Sequence, residues 1–349
     1  MNGDGKQDLV VASGNNVVNA SNVSVLLNRG NGRFAAAVAY RTGSGGASSI
    51  AVGDVNGDGE PDVATTSLDD DTVLVSINRG DGRLTPGVLY MTAKNPWDVA
   101  IGDLNGDGSV DLATANTNGP FGGSASSVSV FINKGNGSFD DRVDYRTGRR
   151  PVSVAIGDLN GDGNPDLATA NLSDSLSVLV NRGDGTFGTK VDYRAGSGPQ
   201  SLAIGDLNGD RKPDLVTANA NTTPAGGSLD SVSVLLNRGD GTFRPKFDYY
   251  GAAKRGLPSR LSFGSVALAE LNGDAREDVV IGNDARTVSV FVNLGAGRLG
   301  PRIDYRTGAS ENGWGPRSVA TGTLNGDARA DLVSVKSGSA SVLLNTTRR

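Results

Sequence analysis

The string Leu-Asn-Gly-Asp, or a near copy of it, recurs seven times in the 349-residue chain, with its Asp at Asp4, Asp58, Asp107, Asp162, Asp210, Asp274 and Asp327. The copies lie 48 to 64 residues apart. Such a period marks seven supersecondary units, each too small to bury a core alone, so neighbours must stack to make one. This overrides the two-domain prior that length would allow. It predicts one domain with units near 1–47, 48–94, 95–150, 151–198, 199–256, 257–314 and 315–349.

Within a unit the order of elements is constant. In the fourth, Ser153 to Gly157 alternates as a strand (A), an Asp-rich loop starts at Asp158, and Leu167 to Ala170 resumes extended structure (B). Leu176 to Val180 gives strand C, Asn181-Arg182-Gly183-Asp184-Gly185 a turn, and Val191 to Arg194 strand D. Four short antiparallel strands per unit are the blade of a propeller. Strand C carries Leu176, Val178 and Val180 on one face but Leu179 on the other, as expected when neighbouring blades cover both faces. All seven tyrosines (40, 90, 145, 193, 249, 250, 305) fall in strand D and read as outer-strand packing. The fold class predicted is therefore all-β, a seven-bladed β-propeller.

Composition narrows the functions. The 51 Gly residues and 5% aromatics suit many tight turns and close sheet packing. No His is present, which removes the commonest general base, and no Cys, which removes thiolate chemistry and leaves the redox compartment unread. The expectation is a non-catalytic protein. A net charge of −5, with acidic residues concentrated in the repeated loops, argues against a nucleic-acid partner. No apolar run approaches the ~20 residues of a membrane span, and no signal segment opens the chain.

The loop between strands A and B carries the chemistry. In the second unit it offers Asp54, Asn56, Asp58 and Asp62 at loop positions 1, 3, 5 and 9, a backbone carbonyl at Glu60 and Gly59 for the turn. This is how a short acidic loop wraps a hard cation, and calcium, with its six to eight oxygens in flexible geometry, fits better than magnesium. The third unit repeats the set with Asp103, Asn105, Asp107, Ser109 and Asp111, the fourth with Asp158, Asn160, Asp162, Asn164 and Asp166. The fifth keeps Asp206, Asn208, Asp210, Lys212 and Asp214 but has Arg211 in place of Gly, which predicts weaker binding. The sixth has Glu270, Asn272, Asp274, Arg276 and Asp278 with Ala275 for Gly, and is marginal. The first begins inside its loop and keeps Asn2, Asp4, Lys6 and Asp8, while the seventh has Thr323 as its first residue and is expected to be empty. The alternative is that Asn, Asp and Gly merely close hairpins. Against it, three carboxylates converging on one point repel unless a cation lies between them.

The runs AVGDVNGDGEPDV, SVAIGDLNGDGNPDLATAN and SVSVLLNRGDGTF resemble FG-GAP or VCBS repeats, the units also found in integrin α-subunit propellers. The resemblance spans essentially the whole chain. It implies a seven-bladed, extracellular or cell-surface, calcium-binding propeller used for adhesion or recognition of a protein or glycan ligand. Fold does not name the ligand.

Arg-Gly-Asp occurs at Arg79 to Asp81, Arg182 to Asp184 and Arg238 to Asp240, each time inside the turn between C and D, and reads as that turn. The D–A and B–C connections, at the opposite end of each blade, vary most. Trp97 and Trp314 stand there just before strand A, with Arg149, Arg150, Arg255, Arg260 and Arg317, as candidate ligand contacts. Trp capping the inner end of a blade is the alternative. A recognition module, a carbohydrate-binding propeller and the propeller portion of a secreted enzyme are the readings, in that order. The first unit has B, C and D and the seventh A, B and C, which leads us to expect one further D–A stretch upstream, and self-association through the open edges without it.

Overall fold

The computed structural model describes residues 1–15, 20–42, 46–117, 126–220, 231–250, 263–283, 287–307, 318–336 and 339–346. The fold is all-β and of the propeller class, in seven blades. Among the described residues there is no helix, hence none long and apolar enough to cross a membrane.

Five blades are four-stranded sheets in the order A-B-C-D, the third being Pro96–Gly102, Asp111–Asn116, Ser127–Phe131 and Val143–Arg146. The first sheet has three strands, Leu9–Asn15, Ala20–Leu26 and Val38–Arg41, which are B, C and D. The last also has three, Ser318–Gly322, Asp331–Lys336 and Ser339–Leu343, which are A, B and C. Strand D of the fourth blade is Val191–Arg194, as expected, and its neighbours differ from the expected bounds by one or two residues.

In the second to sixth blades strands B and C are buried on both faces, which is why their sequences do not alternate cleanly, whereas strand C of the last blade is exposed to half-buried. Strand D is an edge, exposed at Val38, Val88, Val143, Val191, Phe247 and Ile303. The contacts group into two compact units, residues 1–158, 162–169 and 177–191 in one and 159–161, 170–176 and 192–349 in the other. In the first, the core between the second and third blades gathers Val55, Ala64, Val73 and Val75 against Val99, Leu112, Phe131 and Phe139. In the second, Leu207, Val216, Val232 and Val234 meet Val279, Ile281, Phe291 and Leu299 in the same way.

The tyrosines mostly do what their regular position predicts. Tyr90, Tyr145 and Tyr193 each set a ring edge-on against Phe139, Phe187 and Phe243, with centroids 5.2 Å apart. Tyr250 and Tyr305 depart from the expectation, being exposed rather than packed.

A polar relay that sequence patterning did not reveal runs through the third, fifth and sixth blades. In the third, Asn116 Nδ2 donates to Ser129 Oγ (2.9 Å), which donates to Asp144 (2.5 Å), itself held by Arg142. Asn219, Ser233 and Asp248 repeat it, as do Asn283, Ser289 and Asp304. The second blade has Leu74 and Leu89 at the Ser and Asp positions and Gly87 at the Arg position, so the relay is replaced there by apolar contact. A hydroxyl buried in a blade needs a hydrogen-bond partner, and the D-strand carboxylate, exposed in Asp144 and half-buried in Asp248 and Asp304, supplies one.

Candidate metal centre and ligand face

Each A–B loop is short and closed on itself. In the second blade Asp54 Oδ1 accepts the N–H of Gly57 (2.8 Å) and Asp58 (3.2 Å), and its Oδ2 that of Gly59 (2.8 Å). Asn56 accepts from Asp58, and Asp58 from Glu60. The third loop repeats this with Asp103, Asn105 and Asp107. In the fourth, Asp158 accepts from Gly163 and Asp162 from Asn164. Loop position 6 is left-handed throughout, Gly59 at φ 85° and Gly108 at 86°, and Arg211, Ala275 and Ala328 are forced to φ 65°, 63° and 62°. A side chain at that φ is disfavoured, so the last three loops carry strain that the second to fourth lack.

The position-nine carboxylate also holds the fold together. Asp62, Asp111, Asp166, Asp214, Asp278 and Asp331 are fully buried at the first residue of strand B. Asp111 accepts the N–H of Leu104 with one oxygen and of Asn133 with the other, both at 2.7 Å. Asp62, Asp214 and Asp278 make the equivalent pairs with Val55 and Asn78, Leu207 and Asn237, and Leu271 and Asn293. In the first loop Asp8 accepts from Asn28 and lies 3.5 Å from the chain's amino group. The Asn whose N–H donates this bond reaches on to the preceding blade: Asn133 Nδ2 donates to Val55 O, and Asn293 Nδ2 to Leu207 O. The apolar residue of the acidic string and the Asn opening the C–D turn are thus two ends of one inter-blade tie.

Charge around the loops sorts them further. Burial, and after it the nearby Asp58 and Asp54, raise the Asp62 carboxyl above its ordinary range, and Asp111 and Asp278 are raised in the same way. Asp214 is pushed up to about 6, again chiefly by burial. The exposed Asp58 and Asp107 are lowered, first by the amides of Asn56 and Asn105. At position 7 the first, sixth and seventh loops carry Lys6, Arg276 and Arg329, which reach Asp4, Asp274 and Asp327 at 3.0, 3.2 and 3.7 Å. A resident cation there competes with any metal. In the fifth loop Lys212 instead donates to Arg238 O (2.8 Å). Loops two to four have Glu60, Ser109 and Asn164 at this place, so no cation stands there.

The fit to calcium rests on the donor set. Loops two to four supply only oxygen ligands, and the repulsion that raises Asp62 comes from the carboxylates an ion would neutralise. The conformation itself is closed by the loop's own N–H groups, and among the described residues no group of three or more acidic side chains stands together as a metal cluster. Calcium would therefore have to draw the side chains at positions 1, 3 and 5 inward, with the position-nine carboxylate already fixed.

This geometry gives a pH prediction. The folded-state value of Asp214 is above its unfolded one, so the folded protein binds that proton more tightly, and stability falls as pH rises through about 6. Metal-free protein should melt higher at pH 5 than at pH 7, with calcium closing the gap. A melting temperature that fell steadily from pH 7 to pH 5 in chelator would contradict it.

The C–D turns, including the three Arg-Gly-Asp copies, are turns in the structure. Asp184 accepts the N–H and the hydroxyl of Thr186, and Asp240 those of Thr242. Gly183 has φ 87°, and a Cβ on it would stand 3.1 Å from Asn164 Oδ1, so the glycine serves both the turn and the loop it covers.

At the other end of the blades, Trp97 lies inside strand A rather than ahead of it. The register slips between Pro96 and Asp98, which makes Trp97 the bulged residue, 43% exposed. Arg149 is exposed, and the half-buried Arg150, at φ 59°, donates its N–H to Ser126 Oγ. Trp314, Arg317, Arg255 and Arg260 lie outside the described residues.

The FG-GAP-like repeat family matches residues 1–65, 54–114, 121–169, 158–217 and 270–334. The chain belongs to the FG-GAP repeat family. No curated protein matches this FG-GAP chain. Among solved structures, an Agrocybe aegerita lectin that recognises non-reducing terminal N-acetylglucosamine is 20% identical, with a TM-score of 0.54 over 86% of this chain and 80% of that one. A chain from the complex of BBS1N with ARL6DN is 12% identical, with a TM-score of 0.62 over 100% of this chain and 91% of that one. At these identities the likeness is one of fold.

Proposed function

We propose that this FG-GAP propeller is a non-catalytic recognition or adhesion module working outside the cell, with structural calcium in its A–B loops and its ligand on the D–A and B–C loops. The observation that carries the reading is the division of labour between the two ends of a blade. At the A–B end the acidic side chains are engaged in holding backbone, and the chain has no His or Cys to add a nucleophile or base. At the other end a large aromatic is displayed at a bulge, the kind of rigid, partly exposed side chain that anchors interfaces. A carbohydrate ligand is the second reading, favoured by Trp97, whose ring suits a sugar face, and by the shared fold with the lectin.

A binding screen of the calcium-loaded protein against glycans and extracellular proteins tests both. Any specific partner should be lost or weakened about tenfold or more by Trp97→Ala, the loss expected of a central aromatic. Binding that survives Trp97→Ala but disappears on substitution of the C–D turns would place the ligand at the wrong end and overturn the proposal.

A further inference from the structure

The A strands have a consistent third residue: Ser49, Ser153, Ser201 and Ser265 hold it in the second, fourth, fifth and sixth blades. In the third blade it is Asp98, the one charged side chain in the described A strands. In the fifth blade Ser201 Oγ reaches the next blade by accepting the N–H of Val266 at 3.1 Å. Asp98 does more. Its Oδ1 accepts the Ser49 hydroxyl of the second blade at 2.6 Å and the Val99 N–H at 3.0 Å, and its Oδ2 accepts the Val154 N–H of the fourth blade at 2.9 Å. Ser153 of the fourth blade also bonds to it. A carboxylate has about four acceptor positions, and these four donors fill them.

Trp97 precedes this residue, and the peptide on its other side is held too. Ser48 Oγ of the second blade donates to Pro96 O at 2.7 Å and is itself fixed against Thr66 Oγ1 at 2.9 Å. The register slips at the same place beside Ser49 and Ser201, so the bulge belongs to the repeat; in the third blade it is in addition tied to its neighbours at both flanks. Serine in place of Asp98 would offer one oxygen where two are used, and could not reach both neighbours.

We infer that Asp98 is a positioning residue for Trp97: its carboxylate spans the inner strands of three consecutive blades and rigidifies the bulge that presents the indole. The inference rests on the recognition reading above for its purpose, but not for its test. A half-buried carboxylate is retained at a cost, and burial does raise the Asp98 carboxyl above its ordinary range, its hydrogen bonds notwithstanding. Ser would serve the repeat more cheaply, as it does in the neighbouring blades. No other charged side chain lies in the three A strands; Lys94, Arg149 and Arg150 are on the segments that lead into them, and Asp71, in the B–C turn of the second blade, accepts the Asn95 N–H.

The experiment reads Trp97 with no ligand present. Trp314→Phe leaves Trp97 as the sole tryptophan. In that protein, Asp98→Ser should shift Trp97 emission to the red, lower its anisotropy and increase quenching by acrylamide. It should also abolish an acid-side step in the emission that lies above the ordinary aspartate range in the parent. Ser49→Ala, which removes one donor and leaves the carboxylate, should produce a smaller change in the same direction, and it carries the test if Asp98→Ser does not fold. Emission, anisotropy and quenching unchanged in both variants, with circular dichroism showing them folded, would overturn the inference. Ligand loss in Trp97→Ala beside unchanged emission in Asp98→Ser would sink this proposal alone and leave the recognition reading standing.

Discussion

Replacing Asp111 with Ala is expected to be among the most destabilising single substitutions in the second-to-third-blade region, although Asp111 belongs to a loop that looks built for metal. Ala removes both acceptors of a pair of 2.7 Å bonds and leaves the N–H groups of Leu104 and Asn133 buried without partners. Each orphaned donor costs about 1–3 kcal/mol, so the loss should be roughly 2–6 kcal/mol, a large share of the stability of an ordinary domain. Removing a desolvated charge offsets part of this, since burial is what raises the Asp111 carboxyl. The donors should win, because the tie continues through Asn133 to Val55 of the neighbouring blade and to Val110, and all of it depends on Asn133 staying in place. Asp107→Ala, four residues away and exposed, should cost no more than about 0.5 kcal/mol in chelator, as surface substitutions generally do. Denaturant unfolding of both variants in chelator makes the comparison. Equal midpoints would mean that position nine of the loop is no more structural than position five.

That contrast shows what could be read in the sequence and what could not. Seven units, the order of strands, three-stranded first and last sheets and the left-handed sixth loop position all follow from residues that repeat, because repetition exposes the backbone requirement behind each one. The loops beginning at Asp54 and Asp103 were legible as acidic oxygen donors for the same reason. The split of roles within them was not. Nothing in the string separates Asp107, which is exposed, from Asp111, which is fully buried under two N–H groups, since both are aspartates in a polar run. The burial comes from the C–D turn and the adjacent blade, more than twenty residues away in sequence. Trp97 was recognisable as an anomaly, yet its bulge depends on the register of Pro96 and Asp98 against strand B, which no local pattern fixes. The relay through Asn116, Ser129 and Asp144 was missed although its residues recur at constant positions. The signal available was covariation within the chain, for the second blade has Ser67, Leu74, Leu89 and Gly87 where the third has Asn116, Ser129, Asp144 and Arg142.

Chelation of calcium-loaded protein should lower the melting temperature, and the size of the drop should follow from the loops taken one by one. An ion that binds only the folded state stabilises by about 2.7 kcal/mol when free calcium is a hundredfold above the dissociation constant, so two or three filled loops would outweigh most single substitutions. The second, third and fourth loops should contribute nearly all of it, because they combine Gly at the left-handed position with no cation at position 7. The fifth should bind more weakly, with Arg211 strained at φ 65°. The sixth and seventh should bind least: Arg276 and Arg329 already neutralise Asp274 and Asp327, Ala275 and Ala328 are strained, and the seventh starts with Thr323. Asp107→Ala should then remove one bound calcium per chain and its share of the melting temperature, while Asp327→Ala should remove none. Counting calcium by equilibrium dialysis alongside the melts separates the two effects. Equal calcium loss from both variants would sink the ranking, and a melting curve indifferent to chelator, on protein shown to have started loaded, would mean that the loops' own Asp-to-backbone bonds suffice without metal.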